Sequence, residues 1–324
     1  MGKQRLERRK RQQNKKREPQ QTEYKRKKIK HPLLNFYDKN YKKLLIIPFV
    51  LLFLALVQIG YQDATTGDFL NKDVSLRGGL TLTIPVESEI NIVDLEERIL
   101  EVFPGVDFNI RALGTGIGGT SAIMVQSDTT GEQERDEFIQ TLTELTGVAR
   151  QEMNVDMMGP ALGESFFRQT IIAVFVAFLL MGLVVYLYFR KLVPSGAVML
   201  KAFSNIAITI AIVNMLGISV STAGVAAFLM IIGYSIDTDI LLATRLLREK
   251  DGSVFSRIIG AAKTGLTMTF STMVALMVAV IASQSAVLTQ IMVILLIGLC
   301  VDIMNTWIQN AGILRLYVEK QGVE

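Results

Sequence analysis

Residues 224–249 read GVAAFLMIIGYSIDTDILLATRLLRE, and this stretch decides the class of the chain. It opens as an apolar helix and sets Asp237 and Asp239 before the apolar run has ended. Arg245, Arg248 and Glu249 then mark an exit to water. A carboxylate inside a bilayer-length segment is costly, so it must face a protein interior, a partner charge or a water-filled path.

Five further apolar runs lie around this one. Together they predict spans at 44–60, 168–190, 194–217, 220–243, 260–283 and 286–312, each long enough to cross a bilayer as a helix. Pro48 falls in the first turns of the first span, where a kink is expected. Lys42 and Lys43, Arg190 and Lys191, the 244–259 connector, and Arg315 with Lys320 supply the basic clusters. The connectors GIS and SQSA carry no Lys or Arg. Every basic cluster therefore falls on one side, which predicts six spans with both termini cytoplasmic.

Charge is divided along the chain. The 324 residues are 50% hydrophobic, with a pI near 9.0 and a formal charge of only +4. Residues 1–43 carry seventeen Lys or Arg against Glu7, Glu18, Glu23 and Asp38, a formal +13. Residues 61–167 carry nineteen Asp or Glu against six Lys or Arg, a formal −13. Opposed blocks of this kind belong on opposite sides of a membrane. The basic tail reads as a disordered topology signal, with an amphipathic turn near His31–Tyr41 and potential contact with ribosomal RNA or anionic lipid. His31 has no second ligand candidate nearby and reads as a solvated loop residue. The single cysteine, Cys300, excludes an intramolecular disulfide. No cleavable signal peptide is expected, because the first apolar stretch is far from the start and lacks a cleavage site.

Residues 62–165 are predicted to fold as an acidic extracytoplasmic domain. DVSLRGGLTLTIPVE alternates as a strand, and Gly78–Gly79 implies a bulge or a close backbone approach. NIVDLEERILEVF is an amphipathic helix with Asn91 as its cap. VDFNIRALG and TSAIMVQSD read as strands, GEQERDEFIQTLTELTG as a helix and GVARQEMNVDMM as a last strand. The order βαββαβ is that of a ferredoxin-like split unit. GTGIGG at 114–119 invites a phosphate-loop reading, but no Lys-Ser/Thr follows it, and a hairpin loop between strands is the simpler one.

The intramembrane charges gather at one depth. Asp237 and Asp239 lie about five residues, or roughly 8 Å, from the predicted inner end of the fourth span. Lys263 lies a few residues into the fifth span, Asp302 and Asn305 in the inner half of the sixth, and Lys201 in the inner half of the third. Asp237 and Asp239 differ by about 200° around an ideal helix, so one is expected to face Lys263 while the other reaches another helix or a cavity. The set Asp237, Asp239, Lys263 and Asp302, with Lys201 and Asn305 as secondary members, reads as an ion relay or as a static network locking the bundle, in which either lysine could snorkel inward. Small residues such as Gly224, Gly233, Gly265 and Gly298 allow close helix approach.

The stretches MMGPALGESFFRQ at 157–169, GYSIDTDILLATRLLRE at 233–249, AAKTGLTMTFST at 261–272 and VDIMNTWIQNAGILRLY at 301–317 together resemble the SecF family. That family belongs to the RND superfamily, and the likeness is to its archaeal branch. It covers about residues 40–317. The resemblance implies an RND-like half: a polytopic α-helical membrane protein of six spans, with an α+β ferredoxin-like domain between the first two. Its divisions are a basic tail (1–43), a first span (44–61), the external domain (62–165), a five-helix bundle (166–317) and a short tail (318–324). It further implies a non-enzymatic subunit of the Sec translocase, without cofactor or metal, that works with a SecD-like subunit, the translocation channel and exported polypeptides in the cytoplasmic membrane.

In bacterial members, acids of the fourth span and a base of the fifth are implicated in proton-driven pulling. Here Asp237 and Asp239 flank Thr238 where the bacterial pattern reads Asn-Asp, and Lys263 stands in place of an arginine. Lys and Arg are not interchangeable at paired sites. Two other readings stay open: a half-size RND small-molecule exporter, for which the small acidic domain offers little apolar pocket, and a scaffold for channel assembly without energy transduction. An enzyme is not expected, because no nucleophile–base pair, metal cluster or nucleotide loop appears.

Overall fold

A computed structural model describes residues 32–86, 91–104, 106, 108–116, 119–129, 131–249, 252–283 and 285–321. Most of the basic tail, with His31, therefore lies outside the described residues. The amphipathic turn expected near Tyr41 is a helix, α1 (Pro32–Leu44), followed after Leu45 by α2 (Ile46–Thr66). A single helical turn, α3 (Val74–Arg77), precedes the sheet domain of β1 (Gly79–Pro85), α4 (Ile92–Val102), β2 (Phe108–Gly116), β3 (Gly119–Ser127), α5 (Glu132–Thr146) and β4 (Asn154–Met158). The long helices α6 (Pro160–Phe189), α7 (Leu192–Met215), α8 (Thr222–Leu247), α9 (Val254–Ala282) and α10 (Ala286–Met304) follow. A π turn at Asn305–Asn310 joins α10 to α11 (Ala311–Lys320), so the last span is one interrupted rod.

The sheet order β2-β3-β1-β4, antiparallel throughout, is the split βαββαβ arrangement expected from the sequence. Alternation places Leu80, Leu82, Ile84, Ile123 and Val125 on the face covered by α4 and α5, where they pack with Leu95, Ile99, Phe138 and Leu142. Asn91 caps α4 as expected, its side chain accepting from the Val93 amide at 3.2 Å. Gly116 pairs with Gly119 across the β2–β3 turn, so the described part of GTGIGG belongs to a hairpin.

Two boundaries differ from the sequence reading. Residues 74–77, expected as strand, form α3, because Asp73 is extended and receives the Leu76 and Arg77 amides on its carbonyl. Gly78 and Gly79 then reverse the chain at φ 89° and 129°. A Cβ at Gly78 would overlap the Pro160 backbone, and one at Gly79 the Ser127 carbonyl, so the glycine pair marks the close approach that the sequence implied. The second long helix begins at Pro160 rather than near 168. Its 30 residues exceed the roughly 20 that a bilayer needs, and the excess turns pack on α3. There a Cβ on Gly163 would stand 2.7 Å from the Gly78 amide nitrogen.

Among the described residues, six helices are long and apolar enough to cross a membrane. The sheet domain is bolted to the end of the bundle where α7 turns into α8. Asn71 and Asp73 exchange backbone hydrogen bonds with Val220 at 2.7 and 3.0 Å, and the Asn214 amide donates to the Phe69 carbonyl at 3.0 Å. The Thr222 amide donates to Ser75 Oγ at 3.1 Å, so the first turn of α8 is itself tied to α3. At the other end of α8, Arg257 Nη1 donates to the carbonyls of Leu246 and Glu249 and so caps the helix.

Candidate functional site: a buried charge network

Lys201, predicted only as a secondary member, is the centre of the site. Its side chain projects from α7 and is fully buried. Its ammonium lies 2.5 Å from Asp302 Oδ1 on α10 and 3.2 Å from Asp239 Oδ2 on α8, and it also donates to Ser235 Oγ. Three helices thus bury one base between two acids. Removing ions from water costs several kcal/mol each, and only close pairing with further hydrogen bonds makes such a group tolerable in a bundle.

Those further bonds are present. Asp302 Oδ1 accepts from Asn205 Nδ2 at 3.2 Å and Asp302 Oδ2 from Thr306 Oγ1 at 3.3 Å. Asp239 Oδ1 accepts from Asn310 Nδ2 at 2.8 Å. Gln309 Nε2 donates to Ser204 Oγ at 3.0 Å, extending the network by one more pair. The helical period explains the supply: Lys201, Ser204 and Asn205 share one stripe of α7, while Ser235 and Asp239 are four residues apart on α8. Thr306, Gln309 and Asn310 all belong to the π turn, whose wider spiral brings both Gln309 and Asn310 to the inside.

The remaining predicted residues divide sharply. Asn305 is fully buried in the π turn, and neither of its amide atoms has a hydrogen-bond partner among the described residues. Asp237 and Lys263 are exposed on the bundle surface, and neither forms an ion pair among the described residues. The expected contact of one acid with Lys263 is therefore not made within this chain. The opposite facing of Asp237 and Asp239 holds: Asp239 turns inward to Lys201, and Asp237 turns out. From the inner ends of α8 and α9 both outward charges lie about 14 Å up the helices, at matching depth.

Asn205, Thr306, Gln309 and Asn310 were missed because single polar residues in apolar runs are common and the π turn has no local sequence signal. Their helical register with Lys201 and Asp302 is the clue that was legible. Among the described residues no group of three or more His, Cys, Asp or Glu is placed to hold a metal ion.

Six long apolar helices, a ferredoxin-like domain inserted between the first two, and a Lys–Asp–Asp network inside the bundle define a polytopic membrane protein with an intramembrane charge centre. Residues 138–320 match the family described as protein export membrane protein SecD/SecF, C-terminal. The chain is 36% identical over 300 residues to the protein-export membrane protein SecF of Pyrococcus furiosus, covering 90% of this chain and 96% of that one. It is 34% identical over 287 residues to SecF of Methanocaldococcus jannaschii, covering 86% and 96%. The chain belongs to the SecD/SecF family of protein export membrane proteins.

The fold is similar to a crystal structure of SecDF, a translocon-associated membrane protein from Thermus thermophilus. The TM-score is 0.71 at 19% identity, over 89% of this chain and 39% of that one. A SecDF structure in a super-membrane-facing form gives a TM-score of 0.56 at 21% identity, over 85% and 38%. This chain thus corresponds to well under half of the SecDF polypeptide.

Proposed function

We propose that this chain is a non-enzymatic accessory subunit of the Sec translocase that promotes protein export together with a SecD-like subunit. The relatives from Pyrococcus furiosus and Methanocaldococcus jannaschii are protein-export SecF proteins, and this chain covers only 39% of the SecDF chain. The basic clusters put both termini and the α8–α9 connector in the cytoplasm, and the sheet domain outside. The basic tail meets anionic lipid or the ribosome at that inner face, and the sheet domain meets the translocation channel, the emerging polypeptide or the partner's external domain.

The observation that carries this reading is the route through α8. Its first turn is tied to the sheet domain at Ser75, and Asp239, seventeen residues further along, sits in the Lys201–Asp302 network. Changing the charge of the network alters the packing of α7, α8 and α10, and α8 passes the change to the external domain over roughly 25 Å. Asp237 and Lys263, without an ion pair among the described residues and at matching depth, belong in a seam with the partner's spans, where charges of opposite sign would cover them.

The test is export of a secreted reporter in cells carrying Lys201→Met, Asp239→Asn or Asp302→Asn, with membrane abundance and SecD association measured in parallel. Lost export with intact assembly supports the reading. Normal export in all three, or a loss that only tracks lost assembly, makes the network a static brace.

A further inference from the structure

The turn between α6 and α7 carries an arginine where the backbone favours glycine. Arg190 closes α6 in the left-handed region at φ 51°, the one non-glycine residue found there among the described residues. Gly or Asn usually takes that position, because a Cβ is strained in it. Arg190 is exposed, and so is Lys191 beside it, whose ammonium lies 5.8 Å from the centroid of the Tyr317 ring. Neither Arg190 nor Lys191 forms an ion pair among the described residues.

A third cation reaches this turn from α8. The Arg248 guanidinium stands 4.3 Å from the centroid of the Tyr188 ring, and its Nη2 donates to the Tyr188 carbonyl at 3.2 Å. Phe189 meets the Tyr188 ring edge-on, with centroids 4.8 Å apart, and Thr244 Oγ1 lies 3.4 Å from the Tyr188 hydroxyl. Stacking and one hydrogen bond thus orient the guanidinium, and its other N–H groups have no acceptor among the described residues. Glu249 follows in the sequence, but no ion pair joins it to Arg248 among the described residues. Arg190, Lys191 and Arg248 against Glu249 leave a formal +2.

Next to these cations the last turns of α6 are apolar and open. Leu180, Val184 and Leu187 recur at helical spacing and are exposed. On a bilayer-length helix such a stripe faces acyl chains, and Tyr186 and Tyr188 at its end mark the level of the headgroups. The cations therefore lie at the depth of the lipid phosphates. A planar, pre-oriented guanidinium matches two oxygens of a phosphodiester. Free phosphate would use the cations and leave the apolar stripe bare, and a zwitterionic headgroup would leave the +2 uncompensated.

We infer that Arg190, Arg248 and the Tyr188 ring hold the headgroup of one anionic phospholipid, its acyl chains lying along Leu180, Val184 and Leu187. Basic pockets between helix ends at a membrane surface are suited to such headgroups. The lipid then fastens the end of α6 to α8, the helix that carries Asp239. This site is separate from the charge network and does not depend on the proposed role in export.

The experiment titrates purified full-length protein in detergent micelles with phosphatidylglycerol or phosphatidylcholine and counts retained lipid by native mass spectrometry. Saturable retention of one phosphatidylglycerol per chain is expected, with phosphatidylcholine retained far more weakly. Arg248→Gln should weaken retention about fivefold, the loss of one cation at an anionic surface. Arg248→Lys should weaken it too, because a lysine keeps the charge and loses the stacked fork. Folding of each variant is checked by melting, and the comparison of the two lipids on the unaltered protein stands even if a variant unfolds. Equal retention of both lipids overturns the proposal. So does unchanged retention in Arg248→Lys, which would mean that only net charge is sensed. Displacement of the lipid by inorganic phosphate at matched concentration would make the site one for free phosphate and overturn the assignment to lipid.

Discussion

The hydroxyl of Tyr37 donates a 2.5 Å hydrogen bond to the backbone carbonyl of Trp307, tying α1 to the π turn that lines the charge network. The same face of α1 presents Asp38, 2.7 Å from Arg315, and Tyr41, which donates to Glu319 at 2.5 Å beneath the Arg315 guanidinium. Tyr37→Phe removes one partly buried hydrogen bond and should cost about 1 kcal/mol. Thermal unfolding of the purified protein measures it, and an unchanged melting temperature would show that the bond adds nothing.

Burial pushes the phenol of Tyr37 up to about 12, against the opposing field of Arg315. Burial, reinforced by the hydrogen bond to Glu319, pushes Tyr41 up to about 12 as well. A raised folded-state value means that the folded protein holds its phenolic protons longer than the unfolded chain does. The stabilisation is complete below about pH 10, the unfolded value, and is lost as pH rises through 12. Unfolding scans from pH 9 to 12 should show this decline, and the Tyr37→Phe, Tyr41→Phe double variant should flatten it.

Lys201→Met leaves two buried carboxylates without their counter-charge and should destabilise the bundle by about 3–5 kcal/mol. Adding Asp239→Asn and Asp302→Asn removes the stranded charges and should recover most of that loss. Denaturant titration in micelles compares the single and triple variants. Equal stability of the two would mean that the site is hydrated rather than dry.

Gly265 lies under the indole of Trp307, where a Cβ would come 2.5 Å from Cζ2. Gly265→Ala therefore forces the ring or α9 outward, at about 1–3 kcal/mol. Its effect should reach the network through the π turn, so a larger drop in network-dependent export than in melting temperature is expected. Gly233, whose Cβ would meet nothing within 4 Å, is the control: Gly233→Ala should not destabilise the isolated chain.

Asp237→Asn and Lys263→Met should leave the melting of the isolated chain within about 0.5 kcal/mol, because both side chains are exposed. Co-purification with the SecD-like subunit should fall instead. If the isolated chain is the one that suffers, the two residues serve this bundle and not a seam.

Features that depend on local period and composition are legible in the amino-acid sequence. Runs of apolar residues specified the six spans, and strand alternation with Asn91 capping the first helix of the domain specified βαββαβ. Two carboxylates in GYSIDTDI marked the charged centre, and the 200° between them already required Asp237 and Asp239 to face apart. That Lys201, rather than Lys263, is the counter-charge emerges from helix packing. That choice rests on which faces of α7, α8 and α10 meet, and spacing within one helix does not encode it. The π turn, the amides it turns inward and the anchoring of α8 to Ser75 were equally beyond reach. Each exists because residues 70 to 150 positions apart satisfy buried polar groups that no local segment can satisfy alone.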